Sequence, residues 1–343
     1  MTPAPVTAGL LPVSVTFVSA GDGWVLGVIG TTRAPLQPAL RCPTAACPVS
    51  LARTADGGRT WQSAPAPATV LSLQPSPHTT GVRAVRFADP LDGWVYGPGL
   101  YATHDGGASW HRVQVPGAVG DLEAAGGVAY AVINGWLYRT PVGRDAWSKV
   151  ASVPRGATWP GALALMLHGK AAWLAGVFAS HAAVLYATTD GVSWRVLASP
   201  CASPYAAAGL AAYDQQRITL LCQGNGAAGS VGKIWYSSDD GGRIFVRVSQ
   251  WFGPGYYGPA AQPGPERVLT AVTVGAMVRS GIEASSDSGR TWQDVLSVAS
   301  GFASWSDFGF TTAAQGVAVL QETALYMTYN SGTTWSQARL PAG

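Results

Sequence analysis

The sequence predicts an all-β fold, a seven-bladed β-propeller of four-stranded antiparallel blades in a single domain. Three observations predict it. An octet of the form Thr/Ser-x-Asp-x-Gly-x-Thr/Ser-Trp returns along the chain. A second pattern, strand, polar turn, strand, precedes most copies. The composition is that of a turn-rich, well-buried chain: 48% hydrophobic, 11% charged, with 43 Gly and 24 Pro, against a usual charged share of about 25%.

The octet sets the period. It reads "TADGGRTW" at 54–61, "THDGGASW" at 103–110, "SDDGGRIF" at 238–245, "SSDSGRTW" at 285–292 and "TYNSGTTW" at 328–335. Two copies are degenerate: "TTDGVSW" at 188–194 is one residue short, and "TPVGRDAW" at 140–147 has Val142 where Asp belongs. The closing aromatics Trp61, Trp110, Trp147, Trp194, Phe245, Trp292 and Trp335 recur on average every 46 residues or so, and periods of about 40 to 50 with short strands belong to propeller blades.

The octet composition suits a tight turn. Its glycine adopts φ > 0 without steric penalty. The Asp side chain accepts hydrogen bonds from turn amides, and the Thr or Ser hydroxyl adds another. The Trp begins the next strand and buries a large flat surface. Asp56, Asp105, Asp190, Asp240 and Asp287 are therefore read as structural, since uncharged Asn330 fills the same place in the last copy.

The preceding pattern is clearest in "VTFVSAGDGWVLG" (15–27) and "VRFADPLDGWVYG" (85–97), with looser copies at 164–176, 211–224 and 308–320. It supplies strands A and B; the octet joins C to D. The expected blades are 13–63, 81–114, 119–150, 160–198, 208–249, 257–297 and 303–339.

These motifs resemble the Asp-box, or BNR repeat, of sialidases, sortilin-type receptors, GH74 xyloglucanases and Ycf48/HCF136-like photosystem II assembly factors. The paired Phe…Gly-Trp segments look most like the Ycf48-like and bacterial BNR-like propellers. The resemblance implies the fold; its functions run from hydrolase to receptor to assembly factor. A sialidase would need an arginine triad, a Tyr nucleophile with a Glu partner, and an opening Phe/Tyr-Arg-Ile-Pro strand. The first strand here has "VTFV", and "TRAP" (32–35) lies in a loop.

Charge and targeting signals narrow the classes further. The net charge of +3 comes from 18 Arg and 3 Lys against 18 acidic residues, in no long basic run; that excludes an electrostatic nucleic-acid surface. No apolar run reaches the roughly 18 residues of a membrane helix. The start "MTPAPVTAGLLPVSV" lacks the charged and apolar regions of a signal peptide, and a leader removed ahead of Met1 is expected. Of the three ways to pair four cysteines, Cys42–Cys47 with Cys201–Cys222 is favoured, with four unpaired thiols as the alternative. Disulfides would imply an extracellular or cell-envelope location. The Cys42–Cys47 spacing matches no usual zinc pattern, and no metal or cofactor is expected.

In such meanders the A–B and C–D turns share one face. The irregular segments 28–48, 62–80, 153–161, 199–207, 223–232 and 250–258 fall on the other, where ligand sites on a rigid ring usually lie. "QWFGPGYYG" (250–258) offers Trp251, Tyr256 and Tyr257 as ligand-binding aromatics, with Phe252 between them. His181, Arg279 and Glu322 belong to the same face. Among carboxylates, Asp121, Glu123 and Asp307 are expected on innermost strands, and Asp307 with Glu322 is the pair nominated for catalysis. The reading is a monomeric, non-catalytic scaffold for a protein or polysaccharide. The alternatives are a glycoside hydrolase with a carboxylate pair on that face and a Ycf48-like assembly factor.

Overall fold

The computed structural model describes residues 8–30, 47–72, 81–156, 163–177, 183–227, 229–274, 279–299 and 304–342. Its 28 strands form seven antiparallel four-stranded sheets, each from strands consecutive in the chain. No helix occurs among the described residues. The first strands of the blades are β1 (Gly9–Phe17), β5 (Ala84–Phe87), β9 (Val119–Ala125), β13 (Leu163–His168), β17 (Ala206–Ala212), β21 (Tyr256–Ala261) and β25 (Trp305–Phe310). Each touches the next, and β25 meets β1, so these strands make the inner ring of a closed seven-bladed propeller. Closure leaves no exposed sheet edge around the axis.

The ring closes where chain start meets chain end. The Leu10 amide donates to the Pro341 carbonyl (3.1 Å), and Gly9 pairs with Ala342. Blade 1 therefore begins at Gly9 rather than at 13, because Gly9 and Leu10 are held by the last blade.

Seven apolar clusters form the core, and each spans two consecutive blades, the last joining blade 7 to blade 1. Hydrophobic stabilisation thus resides between the blades, which explains the Gly-Trp pairs. Trp24, wholly buried on β2 (Gly23–Gly30), stacks on Phe87 of blade 2 at 3.8 Å and 5°. Its indole N–H donates to the Gly106 carbonyl in blade 2's octet (3.3 Å). Trp173 does the same from blade 4 to Gly241 of blade 5 (3.1 Å).

The octets fold as small hydrogen-bonded turns. In the first, the Thr54 hydroxyl donates to Asp56 Oδ1 (2.8 Å) and accepts from the Gly58 amide (2.9 Å). Asp56 accepts from the Thr60 amide and hydroxyl (2.9 and 2.6 Å). Gly57 and Gly58 lie at φ 74° and 87°. The set recurs at Thr103/Asp105, Thr188/Asp190, Ser238/Asp240, Ser285/Asp287 and Thr328/Asn330. Each complete copy also hydrogen-bonds the A–B turn of its own blade, as in Gly57 to Gly21 and Gly106 to Leu91 (2.9 Å each), so both turns share one face.

One expected loop is largely strand. Residues 250–258 belong to β20 (Val246–Pro254) and β21, and only Gly255, at φ 88°, separates them. The strand persists because its partner β19 (Ser230–Ser238) is itself long, pairing as far as Ser230 with Pro254. Blade 5 accordingly ends at 254, not 249.

Candidate functional site

On the face opposite the octets, the strands of blade 5 are drawn out. Its strands β18 (Ile218–Ala227), β19 and β20 run nine or ten residues, against six or seven for β14 (Ala171–Val177) and β15 (Ala183–Thr188) of blade 4 and for β22 (Val268–Val274) and β23 (Arg279–Ser285) of blade 6. Three anchors hold this wall. Cys201 in the incoming crossover is bridged to Cys222 on β18 (Cα–Cα 5.3 Å). The Tyr205 side chain lies against Gly224 and Gly232, where a Cβ would come within 3.1 Å of its ring and 2.6 Å of its hydroxyl, respectively. Lys233, 0% exposed, points inward and donates to the Gly253 and Pro254 carbonyls (2.7 and 3.1 Å). Burial holds its ammonium down at about 8, against the opposing pull of Glu283. Cys47 is disulfide-bonded as well; Cys42 lies outside the described residues.

The aromatic segment divides into anchors and free rings. Tyr257 is buried: its hydroxyl donates to Glu283 Oε2 (2.7 Å), Lys233 Nζ lies 4.5 Å from its ring, and Trp251 packs edge-on at 5.7 Å. Trp251 is half-buried and tilts against Trp292 at 6.0 Å. The expectation that Tyr257 offers its ring to a ligand is corrected: the alternation of β21 sends it into the core between blades 5 and 6. Tyr256 (52% exposed) and Phe252 (69%) remain free, on either side of Gly255.

Of the other expected contacts, Arg279 is engaged: its guanidinium holds both oxygens of Asp294 at 3.0 Å. Glu322 sits in the blade 7 turn at φ 56°, its amide donating to the Pro12 carbonyl (2.8 Å), and burial raises its carboxyl. His181 lies outside the described residues.

A second feature lies in the inner ring. Arg86, 18% exposed on β5, places Nη2 2.8 Å from Glu123 on β9 and 3.4 Å from Asp307 on β25. Its Nη1 donates to the Val15 carbonyl (3.0 Å), and Asp307 accepts from the Val15 amide (2.8 Å). Asp121 accepts from the Leu165 and Leu122 amides (3.2 and 2.9 Å). Burial works against the Arg86 charge, but Glu123 and Asp307 outweigh it and raise its pKa. Burial pushes Glu123 up to about 7, against the pull of Arg86 and with help from Asp121. Among the described residues no hydrogen bond or ion pair joins Asp307 to Glu322; Asp307 is committed to Arg86 and Val15. The expectation missed Arg86 because nothing local in "VRFAD" marks it as facing carboxylates from blades 3 and 7.

No known family model matches the chain, and no curated protein does. Solved structures share its fold. Ycf48 bound to a D1 peptide is similar over 95% of this chain and 94% of its own (TM-score 0.59, 19% identity). Ycf48 from Cyanidioschyzon merolae is similar over 96% and 97% (TM-score 0.60, 17% identity). An ancestral GH74 enzyme matches 98% of this chain (TM-score 0.62, 12% identity), which spans about half of it, 47%. The likeness is one of fold. It agrees with the seven blades described above, and the site carries the functional argument.

Proposed function

We propose that this protein is an exported or cell-envelope propeller of the Asp-box kind. In this reading it acts as a monomeric, non-catalytic scaffold that binds an extended segment of a protein partner on the face opposite the octets. The observation that carries the reading is the blade 5 wall. A disulfide, a buried lysine and a tyrosine brace it, and two exposed aromatic rings lie at its end, Phe252 on β20 and Tyr256 on β21, the first strand of blade 6. Exposed aromatics on a rigid support bury contact area with little loss of side-chain freedom. The Asp-box assignment rests on the shared Thr/Ser–Asp–Gly hydrogen bonds, and export on the Cys201–Cys222 bridge. That a similar structure, Ycf48, is described with a bound D1 peptide supports a protein segment over a polysaccharide.

The test is selection from a displayed peptide library, beside a glycan array. Peptides selected by the wild type should bind the Phe252→Ala/Tyr256→Ala variant about tenfold more weakly or worse. Glycan binding without peptide binding would replace the partner class. One observation favours a second reading, glycoside hydrolysis: Glu123 stands near 7, in the range of a general acid. Against it, Arg86 Nη2 occupies the space between Glu123 and Asp307. Chromogenic-glycoside turnover abolished by Glu123→Gln or Glu322→Gln would overturn the scaffold reading.

A further inference from the structure

The octet face carries a cluster that the repeat does not require. His104 occupies the second position of blade 2's octet, and His111 directly follows its Trp. In the other full-length octets these positions hold Ala55 and Gln62, Asp239 and Val246, Ser286 and Gln293, or Tyr329 and Ser336. The third member, Asp145, comes from blade 3, whose octet lacks its acidic residue at Val142 and carries one three places later. Asp145 Oδ2 lies 2.7 Å from His111 Nε2 and 3.3 Å from His104 Nε2. One donor atom from each of the three residues falls within 4.8 Å of the other two.

The surroundings orient these groups. His104 Nδ1 is held by Asp92 Oδ1 in the adjacent A–B turn (2.5 Å), which directs Nε2 toward Asp145. The other oxygen of Asp145 accepts from the Trp94 indole (3.4 Å). A carboxylate on the far nitrogen of a histidine is the outer partner that metal-ligating histidines usually have. Ligands about 2.0 to 2.2 Å from a tetrahedral zinc lie roughly 3.3 Å apart, so small side-chain shifts would complete the geometry. Two imidazoles and one carboxylate suit a borderline divalent transition ion better than calcium or magnesium, which prefer all-oxygen shells.

We propose that His104, His111 and Asp145 form a zinc-class divalent metal site with an open fourth position, joining blades 2 and 3 on the octet face, with Asp92 positioning His104. The ion clips two blades together. This face is separate from the proposed partner surface, so the two readings stand or fall apart.

Calorimetric titration of the tag-free chain with zinc chloride in a non-chelating buffer tests the proposal. One ion per chain should bind saturably and raise the melting temperature, while magnesium and calcium do neither. His111→Ala and Asp145→Asn should abolish both effects, and Asp92→Asn should weaken binding by about 10- to 100-fold. His168→Ala, on exposed His168 of β13, should change neither. Cobalt(II) in place of zinc should give the visible absorption of a four-coordinate ion, which Asp145→Asn removes while leaving the far-ultraviolet dichroism intact. Absent saturable zinc binding, or binding that survives both His104→Ala and Asp145→Asn, would overturn the proposal and leave a hydrogen-bonded histidine pair.

Discussion

Within an octet the hydroxyl and the carboxylate have unequal duties. Thr54 accepts from the buried Gly58 amide, whereas Asp56 bonds exposed groups of the turn. A buried amide left without an acceptor costs about 1 to 3 kcal/mol, so Thr54→Val should lower stability by that amount in urea unfolding. Asp56→Asn should lower the urea midpoint less than Thr54→Val does, because Asn330 already makes the equivalent bonds to Thr334 (2.9 and 2.8 Å). The Thr60 hydroxyl and amide hold Asp56 at about 2, below its ordinary 3.8. Such a group adds stability above its unfolded pKa and loses it as the pH falls through the folded value. Glu123 behaves oppositely. Raised from 4.5 to about 7, its contribution is complete below the lower value and is lost as the pH rises through the upper one. The stability of the wild type minus that of Glu123→Gln should therefore shrink between pH 5 and pH 8. Urea midpoints across that range check it, and a difference that stays flat would contradict the assigned environment.

Blades are joined by rings seated on glycines. A Cβ on Gly93 would fall 2.5 Å from the Phe87 ring, which in turn stacks on Trp24 of blade 1. Gly93→Ala should shift that ring, disturb the blade 1–2 interface and cost about 1 to 3 kcal/mol, read from the unfolding midpoint and the near-ultraviolet dichroism of the tryptophans. The blade 5 wall depends on a longer constraint. Cys201 and Cys222 lie 21 residues apart, and opening a loop of that length in the Cys201→Ala/Cys222→Ala variant should cost about 3 kcal/mol, measured under non-reducing conditions against the wild type. These elements also show what could be read from sequence. The octet turn was legible because the side chains that shape it, such as Thr54, Asp56 and Thr60, lie within eight residues. The wall was not: "FGPGYYG" has the composition of a hinge, and it stays extended only because β19 continues beside it. The His104–His111–Asp145 cluster was missed because its members belong to different blades and the repeat pattern assigns them no place.

At the scale of the whole ring, the contacts between segments far apart in the chain include the seam between Leu10 and Pro341 and the hub around Arg86. Arg86 gathers carboxylates from blades 3 and 7 and a carbonyl from blade 1, so it joins segments separated by up to 221 residues. Its carboxylate partners are poorly hydrated, and Glu123 already resists ionisation. Replacing Arg86 with Leu removes a cation that Glu123 and Asp307 share, and breaking such a pair from one side costs about 3 to 5 kcal/mol. The loss has a pH signature that simple loss of packing lacks. Toward low pH the abandoned Glu123 carboxyl, already raised by burial, is protonated in the folded state, so the deficit of Arg86→Leu should narrow there and widen toward pH 8. Adding Asp307→Asn should recover part of the deficit at pH 8, since one of the stranded charges is gone, and the coupling in that double-mutant cycle measures the contact across the ring closure. A deficit independent of pH, with additive effects of the two substitutions, would mean that Arg86 acts only by filling space. The ring would then be held by its seam and its apolar interfaces alone.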